Sequence, residues 1–165
     1  MLEIKTNRPN TALRKYIDSL ISETSSINNR HIKPTYRAFL DDKYVLAIAV
    51  KRGIPKNLFM EIAQFSKLDD EQWSKSLGIN VRTFQRHKKA EKHTFNPNHS
   101  ERIFDIAEVF NEGIEVFDSL DDFKEWLNSP SIPLGNNKPI EMLDSSYGKE
   151  LVMEELSRIE HGIFV

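Results

Sequence analysis

The sequence contains no cysteine among its 165 residues. This absence excludes disulfides, thiolate nucleophiles and the common cysteine-built zinc sites, so we expect a reducing compartment. Long apolar runs are also missing. The longest, Tyr44 to Val50, is far shorter than the roughly 20 residues of a membrane span, and Met1 to Asn10 lacks a signal-peptide-like apolar stretch. We therefore expect a cytoplasmic protein that has no membrane partner.

Motifs for catalysis are equally scarce. The histidines form no HExxH pattern, and the spacing of six between His87, His93 and His99 does not align on one helical face. The acidic pairs at 41–42 and 121–122 point in different directions on a helix, and no glycine-rich phosphate loop or nucleophile elbow is present. We expect no metal, no cofactor and no enzymatic activity.

The charge of the chain changes sign near Pro97. Residues 1–97 hold 18 Lys and Arg against 10 Asp and Glu, whereas residues 98–165 hold 5 against 15. A basic half suits a polyanion, and an acidic half would be repelled by one, so a nucleic-acid face should lie before Pro97. The alternative is that the two halves attract each other.

Helical periodicity dominates the sequence and predicts an all-α protein. Ser100 is a candidate cap for a long apolar helix, and Ser119 is a candidate cap for the next one. Residues 130–139 read as a loop pivoting on Gly135 and Asn136. The last helix should turn Leu151, Val152, Leu156 and Ile159 inward. The principal predicted helices are Thr11 to Glu23, Tyr36 to Lys51, one opened by Pro55, one on each side of Gly78, the long one to Phe117, one ending before Pro130, and Ser146 to Glu160.

The stretch from Leu68 to Lys92 predicts a helix-turn-helix. Trp73 and Leu77 suit the buried side of a first helix, Gly78 should end it, and Asn80 should cap a second helix whose Phe84 faces inward. Short helices with this arrangement enter the major groove when their outer face carries donors for base edges and phosphates.

The second helix of this motif is rich in suitable donors. Arg82, Gln85, Arg86 and Lys89 share one face, at spacings of three and four. Arginine and glutamine can read base edges, whereas lysine suits phosphates. The alternative is a solvated basic helix on an ordinary surface. The predicted DNA-binding residues are Lys75, Asn80, Arg82, Thr83, Gln85, Arg86, Lys88 and Lys89.

The segment from Phe123 to Phe164 carries landmarks at fixed spacing, beginning with Trp126, Leu127 and Pro130 and continuing with Leu134, Gly135 and Pro139. With these landmarks it resembles the toxin-binding domain of the Xre/MbcA/ParS antitoxin family. Asn136 replaces a usual glycine and Ser145 a usual threonine. Both replacements suit the architecture, because asparagine tolerates the left-handed conformation and serine can cap a helix. The region from Gly53 through Phe117 looks like the Xre-type helix-turn-helix of that family. The matching landmarks are Trp126, Leu127, Pro130, Leu134, Gly135, Pro139, Leu143, Asp144, Gly148 and Arg158 to Gly162.

The resemblance implies a non-enzymatic antitoxin of a type II toxin-antitoxin pair. Its partners would be operator DNA and a RES-domain toxin, and that toxin would consume NAD. The protein itself would act as a homodimer or as part of a larger toxin-antitoxin assembly. We expect an accessory extension at 1–35, a DNA-binding lobe at 36–118 and a toxin-binding domain at 119–165. The predicted toxin-binding residues are Arg158, Ile159, Glu160, His161, Gly162, Ile163 and Phe164.

Three alternatives remain open from the sequence, and an enzyme is one of them. The chain could be a plain transcriptional regulator whose C-terminal part senses a small ligand or dimerises. The apolar tail from Ile163 to Val165 could fold back onto the long helix instead of entering a toxin's active-site cleft.

Overall fold

The computed structural model describes residues 11–24, 27 and 32–162. In this part of the chain the regular structure is helical and contains no β-strand, so the all-α prediction is confirmed. No helix in these ranges is both long and apolar enough to cross a membrane. The helices are α1 (Thr11–Glu23), α2 (Tyr36–Asp41), α3 (Lys43–Arg52), α4 (Lys56–Ser66), α5 (Asp70–Ser76), α6 (Val81–Lys89), α7 (Pro97–Phe117), α8 (Leu120–Leu127), α9 (Pro139–Met142) and α10 (Ser146–Glu160).

Several helix starts follow the predicted capping chemistry. The side chains of Asn80, Ser119 and Ser145 accept hydrogen bonds from backbone N–H groups in the first turns of α6, α8 and α10. Each bond satisfies a donor that has no partner inside its helix. Local sequence therefore fixes where these three helices begin.

The prediction of a single helix from Tyr36 to Lys51 is wrong, because the helix is interrupted at Asp42. This residue leaves helical geometry, with φ −84° and ψ 85°, and its carboxylate accepts a hydrogen bond from the N–H of Val45. Asp42 thus ends α2 and caps α3. Hydrophobic periodicity continues across the break and hides it from sequence analysis.

The predicted cap at Ser100 is also wrong. Pro97 occupies the first turn of α7, and the side chain of Asn96 caps it by accepting from the N–H of His99 at 2.9 Å. Ser100 is fully buried, donating to the carbonyl of Phe95 at 3.1 Å and accepting from the N–H of Ile54 at 2.9 Å. It joins two segments of the core instead of starting a helix.

Helix α7 is the central element of the fold. It packs against α2, α3 and α4 on the N-terminal side and against α8 and α10 on the C-terminal side. Its carboxylates Asp105 and Glu108 bind Lys149 of α10, and Glu108 also pairs with Lys43 of α3. Burial raises the pKa of Asp105, and the nearby cations Lys149 and Arg102 oppose that effect. A single helix therefore connects the two halves of the chain.

The loop between α8 and α9 turns where the sequence predicts. A 3-10 turn at Ile132–Leu134 is followed by Gly135 at φ 66° and Asn136 at φ 64°. Both residues lie in the left-handed region, which asparagine tolerates better than most side chains. The expected pivots are confirmed, and the loop folds back so that the 3-10 turn contacts α10.

One residue of α10 points the other way from its prediction. Val152 and Leu156 are fully buried, but Leu151 is 45% exposed. Gly148, Val152 and Leu156 recur every fourth position and face the core, and Leu151 is rotated about 100° from Val152. The expectation that Leu151 faces inward is therefore wrong.

Candidate functional site

The helix-turn-helix is formed by α5, a turn at Gly78 and α6. Asp69 caps α5, with its carboxylate accepting from the N–H of Gln72 at 2.8 Å while the Gln72 side chain accepts from the N–H of Asp69 at 3.2 Å. Gly78 has φ 66°, a conformation that stops the helix, and Asn80 accepts from the N–H of Thr83 at 2.8 Å. The two helices are positioned by caps and a turn encoded within twelve residues.

An aromatic cluster holds α6 against its support. Phe84 of α6 is fully buried, and its ring centroid lies 5.7 Å from that of Phe59 of α4. Phe59 also contacts Trp73 of α5 at 5.0 Å and Phe95, after α6, at 4.8 Å. Because all four rings are buried, the inner face of α6 is fixed and its opposite face must be outward.

The outward face of α6 carries the predicted base-reading residues. Arg82, Gln85, Arg86 and Lys89 are all exposed. Arg82, Arg86 and Lys89 make no ion pair or side-chain hydrogen bond with the described part of the chain. Their guanidinium and ammonium donors are therefore available to an external acceptor.

Two of the predicted residues on α6, Gln85 and Lys88, contact α5. Lys88 Nζ lies 2.6 Å from Asp70 Oδ1, and Gln85 Nε2 donates to Asp70 Oδ2 at 3.3 Å. Lys88 is half-buried, whereas Gln85 remains exposed. Asp70 therefore links the start of α5 to the second half of α6, a role that the sequence analysis missed. The sequence signal that could have indicated this role was the pair of adjacent acids, Asp69 and Asp70, at the start of α5.

The remaining predicted DNA-binding residues are Asn80 and Thr83, at the start of α6, and Lys75, on α5. Asn80 is the cap of α6, and Thr83 is partly buried next to it. Lys75, on α5, is exposed, and its Nζ lies 3.8 Å from a carboxylate oxygen of Glu141. The side chain of Lys75 therefore faces the C-terminal part of the molecule.

Two histidines, which we did not assign to any site, pack against each other near the end of α6. The rings of His87 and His93 have centroids 4.1 Å apart, and His93 packs edge-on against Phe95 at 4.7 Å. Burial lowers the pKa of both imidazoles, Arg86 lowers that of His87 further, and His87 lowers that of His93. The segment after α6 thus rests on two imidazoles that favour the neutral form.

The predicted partner-binding residues lie at the end of α10. Arg158 is partly exposed, with its guanidinium 3.1 Å from Glu155 and 3.7 Å from Glu154. His161 is exposed, and its Nδ1 lies 2.7 Å from the carbonyl oxygen of Ser157. Glu160 and Gly162 are exposed and Ile159 is partly buried, while the predicted contacts Ile163 and Phe164 lie outside the described residues.

Exposed apolar side chains mark a second feature of the C-terminal part. Tyr147 and Ile132 are each 82% exposed, and Leu151 is 45% exposed. The sequence analysis missed this feature because it assigned Leu151 to the core. The signal available was that Tyr147 and Leu151 are one position out of register with the buried Gly148, Val152 and Leu156.

Metal chemistry finds no support in the part of the chain that the structure describes, where no group of three His, Cys, Asp or Glu side chains could hold an ion. What these residues do present is a basic helix face on one half and an acidic surface with exposed apolar groups on the other. These are features of binding surfaces.

Comparison with known proteins assigns both halves. Residues 45–108 match the antitoxin Xre-like helix-turn-helix domain, and residues 112–162 match the antitoxin Xre/MbcA/ParS C-terminal toxin-binding domain. The boundary between the two matches falls within α7, the helix that packs on both sides.

Individual relatives give the same result. Antitoxin Xre of Photorhabdus laumondii is 29% identical over 115 residues, which cover 69% of this chain and 77% of the relative. Antitoxin Xre of Yersinia enterocolitica is 26% identical over 122 residues, covering 73% and 81%. A Prs ADP-ribosylating antitoxin of a Sphingobium species is 23% identical over 141 residues, covering 80% and 86%. With its helix-turn-helix and its toxin-binding domain, the chain belongs to the Xre/MbcA/ParS antitoxin family.

Proposed function

We propose that this protein is the antitoxin of a type II pair, that it neutralises a RES-domain toxin which consumes NAD, and that it represses its own operon. The observation that carries the proposal is the placement of a basic recognition face and a toxin-binding domain on one helical framework. The protein would act in the cytoplasm by binding and not by catalysis.

The DNA-binding part of the proposal depends on α6. Its outward arginines can form bidentate hydrogen bonds with guanine, and each such contact contributes about 1–3 kcal/mol of discrimination. A helix of nine residues reads only a few base pairs. We therefore propose a homodimer, or a larger assembly with the toxin, that reads two half-sites of a palindromic operator.

For toxin binding, we propose that the toxin contacts the end of α10. Arg158 and Glu160 would approach the mouth of the toxin's active site, and the residues after Gly162 would border its cleft. An apolar anchor such as Phe164 commonly costs about 2 kcal/mol or more of binding energy when it is cut to alanine. Deleting residues 163–165 should therefore relieve neutralisation while operator binding and thermal stability stay nearly unchanged. If the truncated protein instead melts at a lower temperature and still neutralises the toxin, residues 163–165 would belong to the core and would not be a toxin contact.

The proposal also names the reaction of the toxin, which uses NAD. The name of the Sphingobium relative includes ADP-ribosylation, a reaction for which NAD is the usual donor. A RES-domain toxin also consumes NAD, so either chemistry gives a cleft that accepts a charged nucleotide. A polar pair such as Arg158 and Glu160 could compete for such a cleft.

The experiment is an assay of nicotinamide release by the purified toxin encoded beside this gene. Release from NAD should be rapid with the toxin alone and should fall to background when this protein is added in equimolar amount. Release that requires a protein acceptor would identify the toxin as an ADP-ribosyl transferase and would overturn NAD consumption without an acceptor as its reaction. Nicotinamide release by the antitoxin alone would contradict a purely binding role.

The alternative is a regulator whose C-terminal part senses a small ligand or dimerises. Coexpression separates the two, because only an antitoxin restores growth to cells that express the neighbouring toxin. Growth that stays arrested despite soluble, folded protein would favour the regulator.

A further inference from the structure

The outer face of α10 combines exposed apolar and charged side chains in one line. Tyr147, Leu151, Glu154 and Arg158 follow each other at spacings of four, three and four, which places them on one side of a helix. None of the four is buried, whereas Gly148, Val152 and Leu156 on the other side are. The line runs from the first turn of the helix to its last.

The first half of this line is apolar to a degree that is unusual for an exposed surface. Tyr147 is 82% exposed and Leu151 is 45% exposed. The 3-10 turn that packs against α10 presents Ile132, which is also 82% exposed. Large apolar groups exposed along one helix face mark an interaction site more often than single scattered apolar residues do.

The surroundings of these apolar groups are acidic. Asp144, Glu150 and Glu154 are all exposed near them on α10 or just before it. Residues 98–165 carry 15 acidic against 5 basic side chains, so the wider field has the same sign. Such a surface attracts a partner with a basic rim around an apolar pocket and repels DNA.

We propose that the toxin docks along the whole outer face of α10, with Tyr147 and Leu151 as its apolar anchors. This inference rests on the proposed function and extends the toxin contact about three helical turns from Arg158 toward the start of α10. The surface is continuous with Arg158, because Glu154 pairs with that guanidinium at 3.7 Å on the same line.

The proposal separates affinity from inhibition. The apolar anchors supply most of the binding energy, since buried aromatic and aliphatic groups dominate interfaces and charged rims contribute more to association rate. The last turn of α10, with Arg158, then lies at the toxin's cleft. An antitoxin that has lost the anchors should dissociate faster even though its last turn is intact.

The test measures binding of the full chain to the purified toxin encoded by the neighbouring gene. The variant combines Tyr147→Ser with Leu151→Ser, and the matched control is Met60→Ser, which removes an apolar group 38% exposed on α4. We expect the double variant to bind at least about tenfold more weakly, mostly through faster dissociation, and Met60→Ser to bind like the wild type. Thermal melting should show both variants folded.

A second comparison tests the acidic rim. Glu150→Lys should slow association at low salt, whereas Glu91→Lys, an exposed acid after α6, should leave the rate unchanged. Equal rates for these two variants would contradict the predicted charge of the partner.

Wild-type affinity of the double variant for the toxin would overturn the docking surface. A double variant with unchanged toxin affinity and a smaller oligomer by light scattering would assign the surface to a second copy of the chain, and would also overturn it. Failure of the proposed function is distinct, because the wild-type protein itself would then neither bind the toxin nor restore growth.

Discussion

The ammonium group of Lys88 lies 2.6 Å from the carboxylate of Asp70, joining the second half of α6 to the first turn of α5. A hydrogen bond from Lys88 is the main cause that lowers the pKa of Asp70, burial opposes it, and Gln85 adds a further bond. The pair adds a polar link between α6 and α5 to the packing of Phe84, Phe59 and Trp73. Lys88 therefore has a structural role beside any contact with phosphate.

Replacing Lys88 by methionine should remove this ion pair and keep the apolar stem. We expect the free energy of unfolding to fall by about 0.2–1 kcal/mol at neutral pH, as for a partly exposed pair. Because folding depresses the pKa of Asp70, the stabilisation is present above the ordinary pKa of this carboxyl and is lost as pH falls through the depressed value. Urea unfolding at neutral and acid pH measures the difference.

Lys89→Met is the control, because Lys89 is exposed on the outward face of the same helix. Stability equal to the wild type for both variants, together with weaker DNA binding by Lys88→Met, would make Lys88 a phosphate ligand and would show that its pair with Asp70 does not stabilise the fold.

Replacing Arg82 or Arg86 by alanine should weaken operator binding by about 1–3 kcal/mol while binding to unrelated DNA changes much less. Lys89→Ala should weaken both to a similar extent and flatten the dependence of affinity on salt. Fluorescence anisotropy with operator and scrambled duplexes measures both. Lys138→Ala, an exposed cation of the toxin-binding domain, is the control. Wild-type operator affinity in both arginine variants would remove α6 as the reading helix.

The paired imidazoles of His87 and His93 predict acid sensitivity. Burial depresses their pKa below the ordinary 6.5, and the cations Arg86 and Lys56 depress it further, as does His99. The folded state thus holds fewer protons than the unfolded state, so stability is complete above about pH 6.5 and falls as pH drops through the depressed values. Thermal unfolding between about pH 7.5 and pH 5 should show the loss.

The double variant His87→Gln and His93→Gln should have a flatter pH profile, whereas His161→Gln, at an exposed histidine, should keep the wild-type slope. Equal slopes for the wild type and the double variant would show that the paired imidazoles do not govern acid sensitivity.

Sequence predicted the elements whose signals are local. Caps at Asn80, Ser119 and Ser145 and the pivot at Asn136 depend on side chains within a few residues of the backbone groups they serve. The face of α6 follows from helical spacing and one buried phenylalanine. These parts of the fold and of the site could be predicted because one helix turn contains the necessary information.

Two of the errors, at Ser100 and Leu151, have a common physical origin in contacts between distant segments. Ser100 bonds to Ile54, which is 46 residues away, and no local pattern distinguishes that role from a cap. Leu151 is exposed because α7 packs on the other side of α10, a fact about tertiary structure. The break at Asp42 was missed for a different reason, since a capping carboxylate competed with an uninterrupted apolar pattern.

Replacing Gly148 by alanine should destabilise the toxin-binding domain. A methyl group there would overlap the backbone carbonyl of Met142, which cannot move without shifting α9. We expect a loss of about 1–3 kcal/mol, as for overpacked cores. Glu150→Ala, exposed on the same helix, should change stability by less than about 0.5 kcal/mol. Calorimetry measures both, and wild-type stability of the Gly148 variant would show that α9 does not rest on α10.

The central claim is that one chain carries two separable binding activities, one for operator DNA and one for a toxin. Growth and cellular NAD should be measured in cells that express the neighbouring toxin together with either the wild-type protein or the Arg82→Ala, Arg86→Ala double variant. We predict that both proteins restore growth and NAD, and that only the wild type represses a reporter placed behind the operator. Arrested growth with the wild-type protein, or rescue that disappears with the two arginines, would contradict the claim.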